Sequence, residues 1–365
     1  MALLCTNPPL LNPVSMSELK QMLRLDISDS SQDDVLMTLN AAATSFCETV
    51  SQRRFVQQSW SLLTDFFPGY WNVIGQKTSS PFVSGANAVM VGIQYAFELP
   101  YPPVQSLNTF TYLNANGQTN SMITGPFNIS SVVNTSGDQV QIVTSTPHGL
   151  TSNANVTIAG NSALLALCAG VANQQITVVD DVTLTLIYIV GTGSSISGTG
   201  TVTGFNFVED LLSQPARLMP IFGQTWPVAR VVANAVQMNY SVGYASPVAV
   251  STVAASPVLG GAYTFTALNI GQPISIPWAG KFGGTLNTIV QSVSGGVASV
   301  RDVPMSSSAG LALLVNYGSP QHWELAKTAI KFLVNQWFVY RVPSFDAKVR
   351  EAVRCILGPV LDKRY

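Results

Sequence analysis

Apolar positions recur at helical spacing only near the two ends of this chain. At the N-terminal end Ser15 with Glu18 three residues on forms a capping box, and Leu19, Met22 and Leu23 follow at i, i+3, i+4. A second helix is predicted from about Ser31, with Asp33 and Asp34 in its first turn and Val35, Leu36, Leu39, Ala42, Ala43, Phe46 and Val50 on one face. At the other end Ser319-Pro320 reads as N-cap and first helical residue, followed by the stripe Trp323, Ala326, Ile330, Leu333, Val334, Trp337. Pro343 stops that helix, and a last one from about Ser344 puts Val349, Val353, Ile356, Leu357 and Val360 on one side. Between the ends the period changes to two, in Gln139-Val140-Gln141-Ile142-Val143-Thr144, Asn155-Val156-Thr157-Ile158 and Thr183-Leu184-Thr185-Leu186, with glycines as punctuation.

Charge sharpens this division. The 365 residues are 47% hydrophobic and 10% charged with a net charge of -1, which excludes a disordered solvated chain and a strongly basic nucleic-acid binder. Residues 126-205 carry only Asp138, Asp180 and Asp181, and residues 246-318 only Lys281, Arg301 and Asp302. The fold class expected is therefore α+β: a discontinuous helical core, 1-125 with 206-245 and 319-365, of N- and C-terminal helices with a few strands, residues 57-62 and 97-100 reading as strands or extended arms, and carrying two inserted all-β domains at 126-205 and 246-318. Neither helical end has enough apolar surface to stand alone, so the two are expected to pack together. No apolar run approaches the ~20 residues of a spanning helix and no signal-peptide pattern opens the chain, which points to a soluble protein made in the cytoplasm.

Chemistry is sparse. Cys5, Cys47, Cys168 and Cys355 stand far apart, and His148 and His322 are the two histidines, so zinc has few ligands to draw on and no metal or cofactor is expected. His148 lies in a predicted turn and has no G-x-S-x-G to accompany it; Asp180-Asp181 reads as turn chemistry. The glycine-rich run from Gly191 to Gly200 lacks the phosphate-loop lysine and precedes a strand pattern, so it reads as a hairpin loop. No catalytic residue is assigned. The ends are polarised instead: residues 1-65 have a net charge of -3 and residues 319-365 a net of +4. This reads either as two solvated helix faces or as a basic C-terminal helix and tail that dock on an acidic surface of a neighbouring subunit or a different protein, where complementary fields set register and on-rate.

Three segments together resemble head-tail connector (adaptor) proteins of tailed bacteriophages. They are Leu19 to Asp26 with Asp33-Asp34-Val35-Leu36 and the Ala-rich helix through Glu48 to Arg53-Arg54-Phe55; Pro215 to Pro220, Trp226-Pro227 and Val236 to Tyr244; and His322 to Arg341 with Leu357 to Leu361 and Arg364-Tyr365. The resemblance covers the 212 residues outside the two β-rich stretches. It implies a structural virion protein at the neck, a homo-oligomeric ring commonly of twelve copies. Such a ring binds the portal protein and extends the channel for passing DNA toward a tail, stopper or nozzle protein, without catalysis. It further implies that the C-terminal helix and tail engage the portal, which singles out Lys348, Arg350, Arg354, Lys363, Arg364 and Tyr365. The alternative within virion proteins is a tail, fibre or capsid-decorating component whose β insertions bind other virion proteins or host glycans; a virion enzyme or carbohydrate-binding module is the third.

Overall fold

A computed structural model describes residues 1-68, 96-135, 139-148, 150, 154-160, 174-187, 196-197, 200-221, 225-340 and 347-360. It corrects the expected fold class. The protein is mostly β, with 40% strand against 23% helix, and is built around a closed six-stranded barrel and a half-barrel, not a helical core with inserted domains. The reason lies in how much of the expected helical core is strand: Gln58–Thr64 falls where an extended stretch was expected, but Ala2–Asn7, Val104–Leu113, Ala216–Met219 and Val236–Val242 are strands as well. In the last of these Val236, Met238 and Tyr240 are buried while Gln237 and Asn239 are half-exposed, a two-residue period that the charge pattern had masked.

The chain divides into two compact units. Unit 1 comprises Met1–Leu4, Ser61–Leu99 and Leu107–Tyr240. Its largest sheet has seven strands in the order Ile196–Ser197, Ile123–Thr135, Gly200–Phe205, Asn155–Gly160, Gln174–Val178, Thr183–Ile187, Gln139–Thr144. The long strand Ile123–Thr135 also pairs with Gln139–Thr144, which curls the sheet back on itself around Ile129, Val132, Val140, Ile142, Val156, Ile158, Leu184 and Val202. A second core in this unit is aromatic. Phe67 stacks on Trp226 with ring centroids 5.2 Å apart and lies 6.0 Å from Phe97 and from Phe110, while Phe110 meets Phe207 edge-on at 5.1 Å.

Unit 2 comprises Cys5–Trp60, Pro100–Ser106 and Ser241–Tyr365. It contains the four helices described, α1 (Met16–Leu23), α2 (Asp33–Ser51), α3 (Pro320–Tyr340) and α4 (Ala347–Leu357). Its barrel closes in the order Ala245–Thr252, Val258–Gly260, Val297–Val300, Leu286–Ser294, Pro273–Ile276, Ser308–Val315. Strand Ser308–Val315 serves two cores because successive side chains point to opposite faces. Ala312 and Leu314 enter the barrel with Val248, Val250, Ile274 and Val290. Leu313 and Val315 join the helical layer with Leu36, Cys47, Trp323, Ile330, Trp337 and Val353. The barrel is thus one wall of the helical core.

Candidate interaction surface on the helical layer

The helices of unit 2 are fixed by a few charged side chains buried in their packing. Helix α1 starts where its sequence predicts: the Ser15 hydroxyl accepts the Glu18 N–H at 3.2 Å. It ends at Arg24, which adopts φ 57°, with the Leu25 N–H returning to the Lys20 carbonyl at 2.9 Å. Lys20, 2% exposed, pairs with Asp33 at 2.6 Å and donates to the carbonyls of Ile27 and Asp29 at 3.2 and 2.7 Å. One ammonium therefore holds the whole α1–α2 connection against the start of α2.

The end of α2 is tied down in the same manner. Glu48 Oε1 accepts the Phe55 N–H at 2.9 Å and the Gln58 amide at 3.3 Å, and Glu48 Oε2 lies 3.4 Å from Arg54. Burial pushes the Glu48 carboxyl up, against the Phe55 N–H, Arg54 and Gln58, which lower it. The Arg54 guanidinium also lies over Tyr101, 3.7 Å from the ring centroid, and over Trp60 at 4.9 Å. Its neighbour Arg53 donates to the Tyr244 hydroxyl at 3.0 Å, and Tyr244 meets His322 edge-on. Burial, with the nearby Arg53, holds His322 below the usual imidazole value. Residues far apart in the sequence, Glu48 to Phe55, Tyr244 and His322, thus meet in one place.

A third buried cluster joins α1 to α3. Lys327 is 1% exposed and lies 3.0 Å from Glu18 Oε1; Lys331 lies 2.5 Å from the same oxygen, and Lys327 also donates to Asn287 Oδ1 at 3.2 Å. Burial alone would raise the Glu18 carboxyl, but the two ammonium groups outweigh it and hold the carboxyl below its ordinary value. This cluster escaped the sequence reading, although its signal was present: Lys327 sits inside the apolar stripe Trp323, Ala326, Ile330, Val334.

The candidate portal-facing residues are placed in part. Lys348, Arg350 and Arg354 stand exposed on α4, whose opposite face buries Val349, Val353 and Leu357. Lys363, Arg364 and Tyr365 lie outside the described residues, so the structure does not bring the six together. None of Lys348, Arg350 and Arg354 has an acidic partner among the described residues. Arg350 and Arg354 form one wall of an open groove of ≈ 790 Å³, whose floor is Ala42, Phe46 and Val50 of α2. The sequence placed Phe46 and Val50 on the core stripe, whereas the fully buried line of α2 is Leu36, Asn40, Ala43, Thr44, Cys47 and Ser51, and Phe46 and Val50 flank it half-covered.

The remaining sequence candidates have structural surroundings. His148 is buried, its Nδ1 accepting the Leu150 N–H at 3.0 Å. Asp180 accepts the N–H groups of Val182 and Thr183 at 2.9 and 2.7 Å, the geometry of a strand-connecting turn. Most of the Gly191 to Gly200 run lies outside the described residues. Among the described residues no cluster of three or more His, Cys, Asp or Glu could hold a metal ion, and no helix is long and apolar enough to cross a membrane. No family model, curated protein or solved structure matches this chain.

Proposed function

We propose that this protein is a structural component of a tailed-phage virion, a head-tail adaptor that assembles as a ring against the portal. The observation that carries the reading is α4. One face of this helix is sealed into a core drawn from both chain ends, and the other presents Lys348, Arg350 and Arg354 to solvent without acidic partners among the described residues. A rigid helix offering unpaired cations is suited to meet an acidic surface, where complementary charge fixes orientation and speeds encounter. Residues from the three segments that resemble adaptor proteins also meet within this unit: Arg54 pairs with Glu48, Arg53 donates to Tyr244, and Tyr244 meets His322. Ring contacts of this kind are heterologous and repeated, so each can be modest.

The test is the particle mass of the full chain, alone and with its portal. A multi-copy ring that co-sediments with portal, and loses it in the variant K348E/R350E/R354E, is expected. A stable monomer that binds no portal removes the reading. The β-rich composition supports a second reading, a capsid-decorating or fibre component, for which binding of the full chain to tail-less capsids or to host glycans is the discriminating result.

A further inference from the structure

The geometry points to the groove between α2 and α4 as the seat of an acidic amphipathic helix from a partner protein, its carboxylates one turn apart on Arg350 and Arg354 and its apolar stripe on Phe46 and Val50. This deepens the adaptor reading and rests on it only for whose helix is bound. The floor residues Ala42, Phe46 and Val50 follow at i, i+4, i+8 along α2, so they form a ridge one side chain wide. Arg350 and Arg354 stand one turn apart on α4, with roughly 6 Å between them. Two features that each repeat once per turn, one on either helix, match a third helix laid into the groove, with anchors at helical spacing.

Charge selects the sign of the occupant. Of the acidic groups on the elements that border the groove, Glu48 is buried and engaged by Arg54, Phe55 and Gln58. Asp33 is paired with Lys20, and Asp34 stands beside it in the first turn of α2, away from the floor residues. Glu351 is exposed on α4 and Glu324 lies in the first turns of α3; neither forms an ion pair among the described residues. The two guanidinium groups therefore face the groove without a counter-charge among these residues, repelling one another until a carboxylate arrives. Arginine accepts carboxylate and phosphate equally in a bidentate fork. The apolar floor separates the two: it stabilises a side-chain stripe and offers a nucleic-acid backbone nothing.

Four labelled probes distinguish the outcomes by fluorescence anisotropy on the full chain: a helical peptide with Glu at i and i+4 beside a Leu stripe, the same peptide with Gln or with Lys for Glu, and a short DNA duplex. The Glu peptide is expected to bind best, to weaken about tenfold in R350E/R354E and as salt rises, and a Lys version is expected to bind that variant better than it binds the wild type. Ser45→Trp, at an exposed rim position, is expected to block the Glu peptide while leaving both arginines in place. Equal binding of the Glu and Gln peptides, unchanged Glu-peptide binding by R350E/R354E, or tighter binding of the duplex through these arginines would overturn the inference. Particle mass separates it from the adaptor reading: a monomer that binds the Glu peptide through these arginines keeps the groove and removes the ring, and a ring that ignores the peptide does the reverse.

Discussion

Replacing Glu18 by Gln should destabilise unit 2 far more than replacing the buried lysine it faces. Glu18 Oε1 is shared by Lys327 at 3.0 Å and Lys331 at 2.5 Å, so the cluster holds one carboxylate and two cations. At about 3 Å and an effective dielectric of ~20 each attraction is of order 5 kcal/mol before desolvation. Removing the carboxylate leaves Lys327, 1% exposed, with only Asn287 and the neutral amide for company, a change that costs about 3–5 kcal/mol in comparable buried pairs. Lys327→Met removes the more deeply buried cation and leaves Glu18 paired with Lys331, so the expected loss is below ~1 kcal/mol. The double variant should be more stable than E18Q alone, because it no longer buries an uncompensated charge. Guanidinium unfolding followed by helical circular dichroism reads this unit directly, since all four described helices belong to it. The pH dependence has a definite sign. The Glu18 carboxyl is held below its ordinary value in the folded protein, so its contribution is complete above about pH 4.5 and is lost as pH falls through the folded value; E18Q should lack that acid-sensitive component. A K327M variant as unstable as E18Q, or a double variant less stable than E18Q, would refute the reasoning.

Phe67, 1% exposed at the centre of the aromatic core of unit 1, should lose about 3–5 kcal/mol on replacement by Ala, measured by thermal unfolding, with the helical signal of unit 2 unchanged at room temperature. Gly243→Ala should be destabilising by more than ~1 kcal/mol, because Gly243 has φ 131° and a Cβ there would lie 2.7 Å from the Val56 carbonyl carbon and the Gln57 nitrogen; chemical denaturation checks it. Site-resolved mass spectrometry after brief thiol alkylation at neutral pH should show Cys355 modified and Cys47 protected until unfolding. Cys355 is exposed, whereas burial pushes the Cys47 thiol up to about 12.

The helices were legible because each carries its own signal: Ser15 as N-cap with Glu18 three residues on, a proline at position 320, and apolar stripes that are largely buried in α3 and α4, whereas of the α2 stripe only Leu36 and Ala43 are buried and Val35 is exposed. Helix α2 begins at Asp33, two residues after the predicted Ser31, whose hydroxyl instead donates to Asp29. The overall class was misread because charge is a poor guide to backbone conformation. Strand Val236–Val242 and its sheet neighbours Gln58–Thr64 and Val104–Leu113 carry no charged side chain; they were grouped with the helices because the segments that hold them do, while the buried alternation of Val236, Met238 and Tyr240 lay in plain view. Residues of the interaction surface were visible only as a basic helix. That Phe46 and Val50 floor a groove, and that Glu18 is shared by two lysines from the far end of the chain, follow from contacts between residues some 300 positions apart, which no local pattern encodes.

The two-faced strand Ser308–Val315 makes the barrel and the helices of unit 2 inseparable. It pairs with Ala245–Thr252 over eight consecutive positions, from Ala245 opposite Val315 to Thr252 opposite Ser308. A slip of a single residue would turn Ala312 and Leu314 out of one core and Leu313 and Val315 out of the other at the same moment. Displacing this strand opens both cores, so barrel and helices are expected to behave as one cooperative unit whose amides exchange together, which native-state hydrogen exchange checks. A pull on the helical face is then resisted by the ladder of the barrel, and the docking surface proposed for α4 is anchored through the β-structure behind it.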